Sequence, residues 1–365
     1  MKYSTPPVIP VARPQLPSAD EVLPFLREID ATRHYSNGGP LNARLEQALG
    51  RQFGAERSVL CHSSCTIGLV AALLALRPEP GALCMMPSWS FPATGHAARL
   101  AGLTPWFVDV EAGSGALTPA LARAALAQAP ARVAAVIPVM PFGAPADVTA
   151  WEGFRDETGL PVIVDGAAAF DSLSASTIPI VVSLHATKLF GVGEGGFTLC
   201  RDAAFLRTMR KVLNFGFHGT RNAELPAVNG KLSEYAAAVG LAALPGYGEK
   251  REAHQTVAQL YRSALPGHIT MPAGFGTDWV SASLSLGLPA EHLAPAKRAL
   301  ARRGIAWRHW WEAGMHRMPA FADCPHLPLP VTKALARSTL GVPFYQDLSE
   351  AQVQDICAAL AEAGS

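Results

Sequence analysis

An alternation of two textures constrains this chain more than any other feature. Seven short apolar runs, RSVLC (57–61), ALCMMP (82–87), PWFVDV (105–110), VAAVIPV (133–139), PVIVD (161–165), PIVVSL (179–184) and GFTLC (196–200), read as β-strands. Between most of them lie Ala/Leu-rich stretches of helical character, such as Thr66–Leu76 and Pro119–Ala129, the second opened by Thr118-Pro119. Strands that alternate with helices form a mostly parallel sheet covered on both faces, and near-continuous apolar strands agree with that burial. The expectation is an α/β fold with a mostly parallel seven-stranded sheet flanked by helices.

Around Leu244–Gly248 the texture changes. A long polar helix is expected over about 249–264, with strands near Ile269–Met271 and Val280–Leu286. A further helix runs to about Arg303 and is closed by Gly304. Ser349-x-x-Gln352 is a capping box that opens the last helix, with Val353, Ile356, Cys357 and Leu360 on one face. The division expected is a large domain over 1–245 and a smaller α+β domain over 246–365. The N-terminal segment, Pro-rich and then helical to about Glu28, joins the smaller one. Asn37-Gly38-Gly39-Pro40 reads as a turn, after which Leu41, Leu45, Ala48 and Leu49 recur at helical spacing.

Composition narrows the function classes. With 49% hydrophobic and 16% charged residues the chain reads as a compact soluble enzyme, and a formal charge of +1 without a basic run argues against nucleic acid. No uninterrupted apolar run reaches membrane-spanning length, so no membrane partner is expected. The start, MKYSTPPVIPVARP, lacks an apolar signal core, which leads to the expectation of a cytoplasmic protein. The six cysteines are scattered, no CxxC occurs and no His pair has zinc spacing. Buried thiols are expected, with neither disulfides nor a metal.

The chemistry-bearing stretch is Ser183–Gly196, SLHATKLFGVGEGG. It sets Lys188 between a buried strand and a glycine-rich turn, while the strand over 161–165 ends in Asp165. In open parallel sheets ligands sit at strand ends. Pyridoxal phosphate needs this pair, an amine for a Schiff base and an acid facing the pyridine nitrogen. Taken alone, the two residues read more readily as a solvated loop lysine and a helix N-cap. Gly166-Ala167-Ala168-Ala169 lets a ring approach the backbone closely. CHSSCTIGL (61–69) offers an anion site at a helix N-terminus, or ordinary capping by Ser and Thr. In PSWSFPAT (87–94), Phe91 or Trp89 is either a stacking surface for a flat ring or core packing.

In order along the chain, SNGGPL, SSCTIGL, PSWSFPAT, GLTPWFVDV, PVMPFGAPAD, VIVDGAAAFD, SLHATKLFGVGEGG, NFGF and NGKLSEYAAAVGLAAL resemble the DegT/StrS family of nucleotide-sugar aminotransferases. These are fold-type-I enzymes that use pyridoxal 5'-phosphate, with pyridoxamine phosphate as intermediate. The resemblance runs from about Val8 to the C-terminus. It implies that Lys188 is the Schiff-base lysine and Asp165 the partner of the pyridine nitrogen. It places the phosphate at Ser64, Cys65 and Thr66, with Ser183 in contact, and Phe91 over the ring with Trp89 as second choice. Asn229 would reach the phosphate of a neighbouring subunit, so a homodimer with its active site at the subunit interface is implied. The substrate side would be drawn from Arg33, His34, Tyr35, Trp307, His309, Trp310, Trp311 and His316. Two residues depart from the family pattern: Ala168 stands where Gln or His is common, and Cys65 where glycine is. The implied activity is transfer of the amino group of L-glutamate to a nucleotide-linked keto sugar, nearest to C4 of dTDP-4-keto-6-deoxyglucose. Amination at C3, and a cofactor-binding sensor without turnover, are the alternatives.

Overall fold

A computed structural model describes residues 9–364. Two helices, α1 (Ala19–Thr32) and α2 (Pro40–Gln52), precede the alternating region. That region runs β1 (Val59–His62), α3 (Cys65–Ala75), β2 (Leu83–Pro87), α4 (Pro92–Leu100), β3 (Thr104–Val108), α5 (Pro119–Leu126), β4 (Val133–Val136), α6 (Val148–Thr158), β5 (Val164–Asp165), β6 (Ile180–Ser183) and β7 (Gly196–Leu199). Then follow α7 (Ala203–Leu213), α8 (Glu234–Ala243), α9 (Tyr247–Ala264), β8 (Leu284–Gly287), α10 (Ala290–Arg302), α11 (Pro330–Ser338), β9 (Thr339–Val342) and α12 (Glu350–Ala361).

The first seven strands form two hydrogen-bonded groups, β3-β2-β4 and β5-β6-β7-β1. Parallel bridges from Val136 to Val162 and from Val139 to Asp165 join them edge to edge. The neighbours within this sheet are parallel except around β7, which runs antiparallel to both β6 and β1. The run expected over 133–139 ends as a strand at Val136. Pro138 has no N–H to donate, so only its carbonyl serves the ladder, accepting from Asp165 N–H at 2.9 Å. β5 is two residues long and pairs with β6 at Ile180 and Val181.

Local signals set several boundaries. Thr118 caps α5 with Pro119 in its first turn, and Ser349 and Gln352 form the reciprocal capping box of α12. The buried faces of α3, β6 and β7 are apolar, with Leu69, Val181 and Phe197 fully enclosed.

A separate core contains Tyr261, Trp279, Leu284, Leu300, Val342 and Ile356, and Ile9 packs into it. Ile9 pairs with Ile305, and Phe344 N–H donates to Val11 C=O at 3.1 Å, which ties the N-terminal segment to this body. The strand expected at Ile269–Met271 reduces to a single bridge between Thr270 and Gly287. The pairing of β8 is instead with β9, antiparallel from Leu284 opposite Val342.

The chain after residue 246 does not stay within one core. Met315, Phe321 and Cys324 pack among the helices and strands of the large sheet, beside Leu69 and Phe107. Phe107 N–H donates to Pro325 C=O and Leu327 N–H to Phe107 C=O, both at 3.0 Å, so this segment lines the open edge of β3. The expectation of one continuous small domain therefore has to admit an excursion across the large sheet.

Candidate active site

Residues 184–195 connect the antiparallel strands β6 and β7. Backbone bonds from Ala186 to Gly193 and from Val192 to Leu184, both 2.8 Å, fold the connection back on itself. Gly193 sits at φ +96°, a conformation that other residues rarely adopt. Lys188 is held at 2.9 Å by its N–H to His185 C=O. Its side chain is partly buried, and its Nζ has no hydrogen-bond or ion-pair partner among the described residues. Burial pushes its pKa below the ordinary lysine value, against the opposing pull of Cys65 and Asp165. An amine that loses its proton more readily is a better nucleophile.

Asp165 is 5% exposed, at the end of β5. One carboxylate oxygen accepts from Thr94 Oγ1–H at 2.7 Å and the other from Ala167 N–H at 3.1 Å. Burial raises its pKa, while those two hydrogen bonds and then Lys188 pull it back. The charges of Asp165 and Lys188 are thus felt by each other without a direct ion pair.

The N-terminus of α3 faces the same region. Ser64 Oγ accepts from Ile67 N–H at 3.2 Å, and Ser63 N–H is taken by Gly230 C=O at 2.8 Å. The N–H groups of Cys65 and Thr66 lie in the first turn, where the helix has no acceptor for them. Ser64 is therefore a capping side chain, and what the helix offers an anion is its backbone. Cys65 turns its thiol toward Val181 C=O at 3.7 Å. Burial, and next the charge of Asp165, hold that thiol well above its ordinary pKa. Behind the turn, His62 Nδ1 lies 2.9 Å from Ser64 C=O and Nε2 3.2 Å from Thr198 Oγ1. Burial lowers its pKa to about 4. The neutral ring then donates from Nδ1 to the carbonyl.

The other residues named from the sequence fall in different places. Phe91 is 59% exposed at the start of α4. Trp89 is 2% exposed and packs edge-on against Trp311 at 5.2 Å, so it is core and offers no face to a ring. Ser183 Oγ accepts from His185 N–H at 3.2 Å. Ala168 is half-buried and its methyl gives no polar contact. Asn229 is exposed, its Oδ1 accepting from Lys231 Nζ at 2.7 Å. Arg33, His34 and Tyr35 are exposed and belong to the α8 side, where Tyr35 stacks on Tyr235 at 6.3 Å. His316 Nδ1 bonds Ser88 Oγ at 2.8 Å, while its Nε2 and the Nε1 of Trp310 are buried without a partner.

Three polar residues escaped the sequence reading. Thr94 lay in a motif read for its aromatic residues, although Ser90 and Thr94 are one helical turn apart. Asp171 accepts from Tyr247 Oη–H at 2.5 Å, Arg251 Nε–H at 2.6 Å and Val280 N–H at 3.0 Å, which fastens α9 to the large sheet. Glu234, fully buried, accepts from Leu41 N–H at 2.8 Å and Asn42 N–H at 2.9 Å. No local signal points to contacts made across so much intervening chain.

An amine without a partner, a buried carboxylate beside it and helix N–H groups without acceptors fit pyridoxal phosphate. Over residues 18–361 the chain matches the DegT/DnrJ/EryC1/StrS aminotransferase family. The chain belongs to that family. Protein Rv3402c of Mycobacterium tuberculosis (strain ATCC 25618 / H37Rv) is 30% identical over 381 residues, covering 99% of this chain and 91% of its own. The dTDP-4-amino-4,6-dideoxy-D-glucose transaminase of Escherichia coli is 29% identical, covering 94% of this chain and 95% of its own. The crystal structure of DesI in the presence of its TDP-sugar product superposes with a TM-score of 0.88 at 27% identity, covering 98% of this chain and 93% of DesI. This DegT-family chain is a pyridoxal-phosphate-dependent aminotransferase. Among its described residues no helix is long and apolar enough to cross a membrane.

Proposed function

We propose that this protein transfers the amino group of L-glutamate to the keto carbon of a nucleotide-linked sugar, C4 of a dTDP-4-keto-6-deoxyhexose. The observation that carries the reading is Lys188, a partly buried amine with lowered proton affinity and no partner, in reach of the Asp165 charge. The named activity of the Escherichia coli relative, along nearly the full length, supports the sugar and the carbon.

Bound pyridoxal phosphate supplies an electron sink for the carbon that loses or gains a proton. In this reading Lys188 holds the cofactor. Its amine, once free, would move the proton at the reacting carbon. Asp165, facing the ring nitrogen, keeps a proton there. The N–H groups of Cys65 and Thr66 at the start of α3, with Ser183, hold the phosphate. Phe91, exposed at the start of α4, would cover one face of the ring. Asn229 is exposed in the single chain and reaches the phosphate of a second copy, which makes the working unit a homodimer. Arg33, Tyr35 and His316 stand on the substrate side.

The test is turnover of dTDP-4-keto-6-deoxyglucose with L-glutamate, beside a UDP-3-keto sugar as competitor, in the wild type and Lys188→Ala. The wild type should aminate the 4-keto sugar and the variant should be inert with its circular dichroism unchanged. Turnover in Lys188→Ala would refute the assignment of the lysine. Preference for the 3-keto sugar would move the reaction to C3.

A further inference from the structure

Asp165 has a second support besides its own strand, and it comes from α4. Thr94 is fully buried, and its hydroxyl donates to the Asp165 carboxylate at 2.7 Å. Ser90 Oγ, in a side chain 1% exposed, lies 3.0 Å from Thr94 Oγ1. Each hydroxyl has one proton. Since Thr94 gives its proton to the carboxylate, it must accept from Ser90. The two hydroxyls therefore form a polarised chain, Ser90 to Thr94 to Asp165. Charge-assisted bonds of this kind are short and strong, and in a buried setting they orient as well as stabilise.

The placement follows from the local fold. Phe91 is the N-cap of α4 and Pro92 its first residue, so the backbone turns into the helix there. That turn leaves Phe91 outside and carries Thr94, three residues on, inward to Asp165. Ala168, three residues after the aspartate, has only a methyl to offer.

We propose that Thr94, supported by Ser90, is the positioning residue that keeps the Asp165 carboxylate ionised and turned toward the cofactor's ring nitrogen. The proposal rests on the cofactor reading given above and adds two residues to it. The titratable groups facing Asp165 are Lys188, from the turn after β6, and Cys65, from α3. Lys188 favours the carboxylate, and the protonated thiol leaves it unopposed. Thr94 is the neutral donor in that set whose loss affects Asp165 without removing a charge.

The experiment measures the affinity of cofactor-free protein for pyridoxal phosphate against pH in the wild type, Thr94→Val, Thr94→Ser and Ser90→Ala. It also follows the Asp165 carboxyl titration in the cofactor-free proteins by carbon-13 NMR. Thr94→Val keeps the shape and removes the donor. On the acid side its affinity should fall by up to about tenfold, the factor that a one-unit shift of the carboxyl titration carries. The acid-side loss of affinity and the Asp165 titration should both move up by about one pH unit, because the ionised carboxylate has lost a donor. Thr94→Ser should restore both, and Ser90→Ala should move both in the same direction by less. An Asp165 titration unchanged in Thr94→Val would overturn the proposal, as would weakened binding that Thr94→Ser does not restore. If Thr94→Val does not fold, Ser90→Ala decides, and an unmoved titration there overturns the proposal. A wild type that takes up no pyridoxal phosphate, while the Asp165 titration still responds to Thr94→Val, overturns the cofactor reading and with it the stated purpose of the hydroxyl chain.

Discussion

Glu234 is a polar residue whose loss should cost the fold several times what an average substitution does. The start of α2 has no side-chain cap, because its N-cap is Gly39. Pro40 has no N–H, and Ala43 N–H is already bonded to Gly39 C=O at 3.0 Å. The first turn is left with two unpaired donors, Leu41 and Asn42, and the buried Glu234 carboxylate takes both, at 2.8 and 2.9 Å. A hydrogen bond to a charged group contributes about 1.5–3 kcal/mol, and an anion at a helix N-terminus adds up to about 2 kcal/mol in a buried setting. Since these terms overlap, Glu234→Ala should destabilise by about 3–5 kcal/mol, well above the roughly 1 kcal/mol of an average substitution. Glu234→Gln keeps one acceptor and should cost about 1–2 kcal/mol. Glycine at position 39 is what lets the carboxylate come this close, since a Cβ there would stand 2.7 Å from the Glu234 carboxyl carbon. The assay is chemical denaturation followed by far-ultraviolet circular dichroism. A Glu234→Ala protein within 1 kcal/mol of the wild type would refute the reasoning and mean that water satisfies the helix end.

Three further outcomes are expected. Phe91→Ala should weaken pyridoxal phosphate binding with little change in stability, whereas Trp89→Ala should cost about 3–5 kcal/mol of stability as a buried Trp; paired thermal melts and cofactor titrations separate the two. His62 is neutral when folded, with its pKa lowered from 6.5 to about 4. Its contribution is therefore complete above pH 6.5 and falls as pH drops toward 4, by about 3 kcal/mol, and His62→Gln should flatten that part of the stability–pH curve. If Asn229 serves the partner's site, mixing inactive Lys188→Ala with inactive Asn229→Ala subunits should restore up to about a quarter of wild-type turnover through mixed dimers with one intact site.

Much of the architecture was legible because the relevant physics is local. Thr118-Pro119 and Ser349-x-x-Gln352 announce helix starts through groups a few residues apart, and both helices begin there. The strand ends carrying Asp165 and leading to Lys188 were readable from apolar runs that stop abruptly. The gap in the ladder at Pro138 was also written in the residue type, although the run around it masked it. What could not be read were contacts between distant segments. Glu234 on Leu41 and Asn42, Asp171 on Arg251, and Thr94 on Asp165 each join elements far apart along the chain. Phe91 stands before Trp89 through the resemblance alone, because the residues by themselves do not separate the two. Both are aromatic and two residues apart, and only the arrival of Trp311 from the distant C-terminal part buries the first and leaves the second outside.

The most direct test of the central claim is the visible absorption spectrum of the pyridoxal-phosphate-loaded protein before and after L-glutamate. The account predicts a visible band that disappears on adding glutamate, with absorbance rising at the shorter wavelength of pyridoxamine phosphate and 2-oxoglutarate released. A visible band that glutamate leaves unchanged would contradict it, and would favour a cofactor-binding protein that does not turn over this donor.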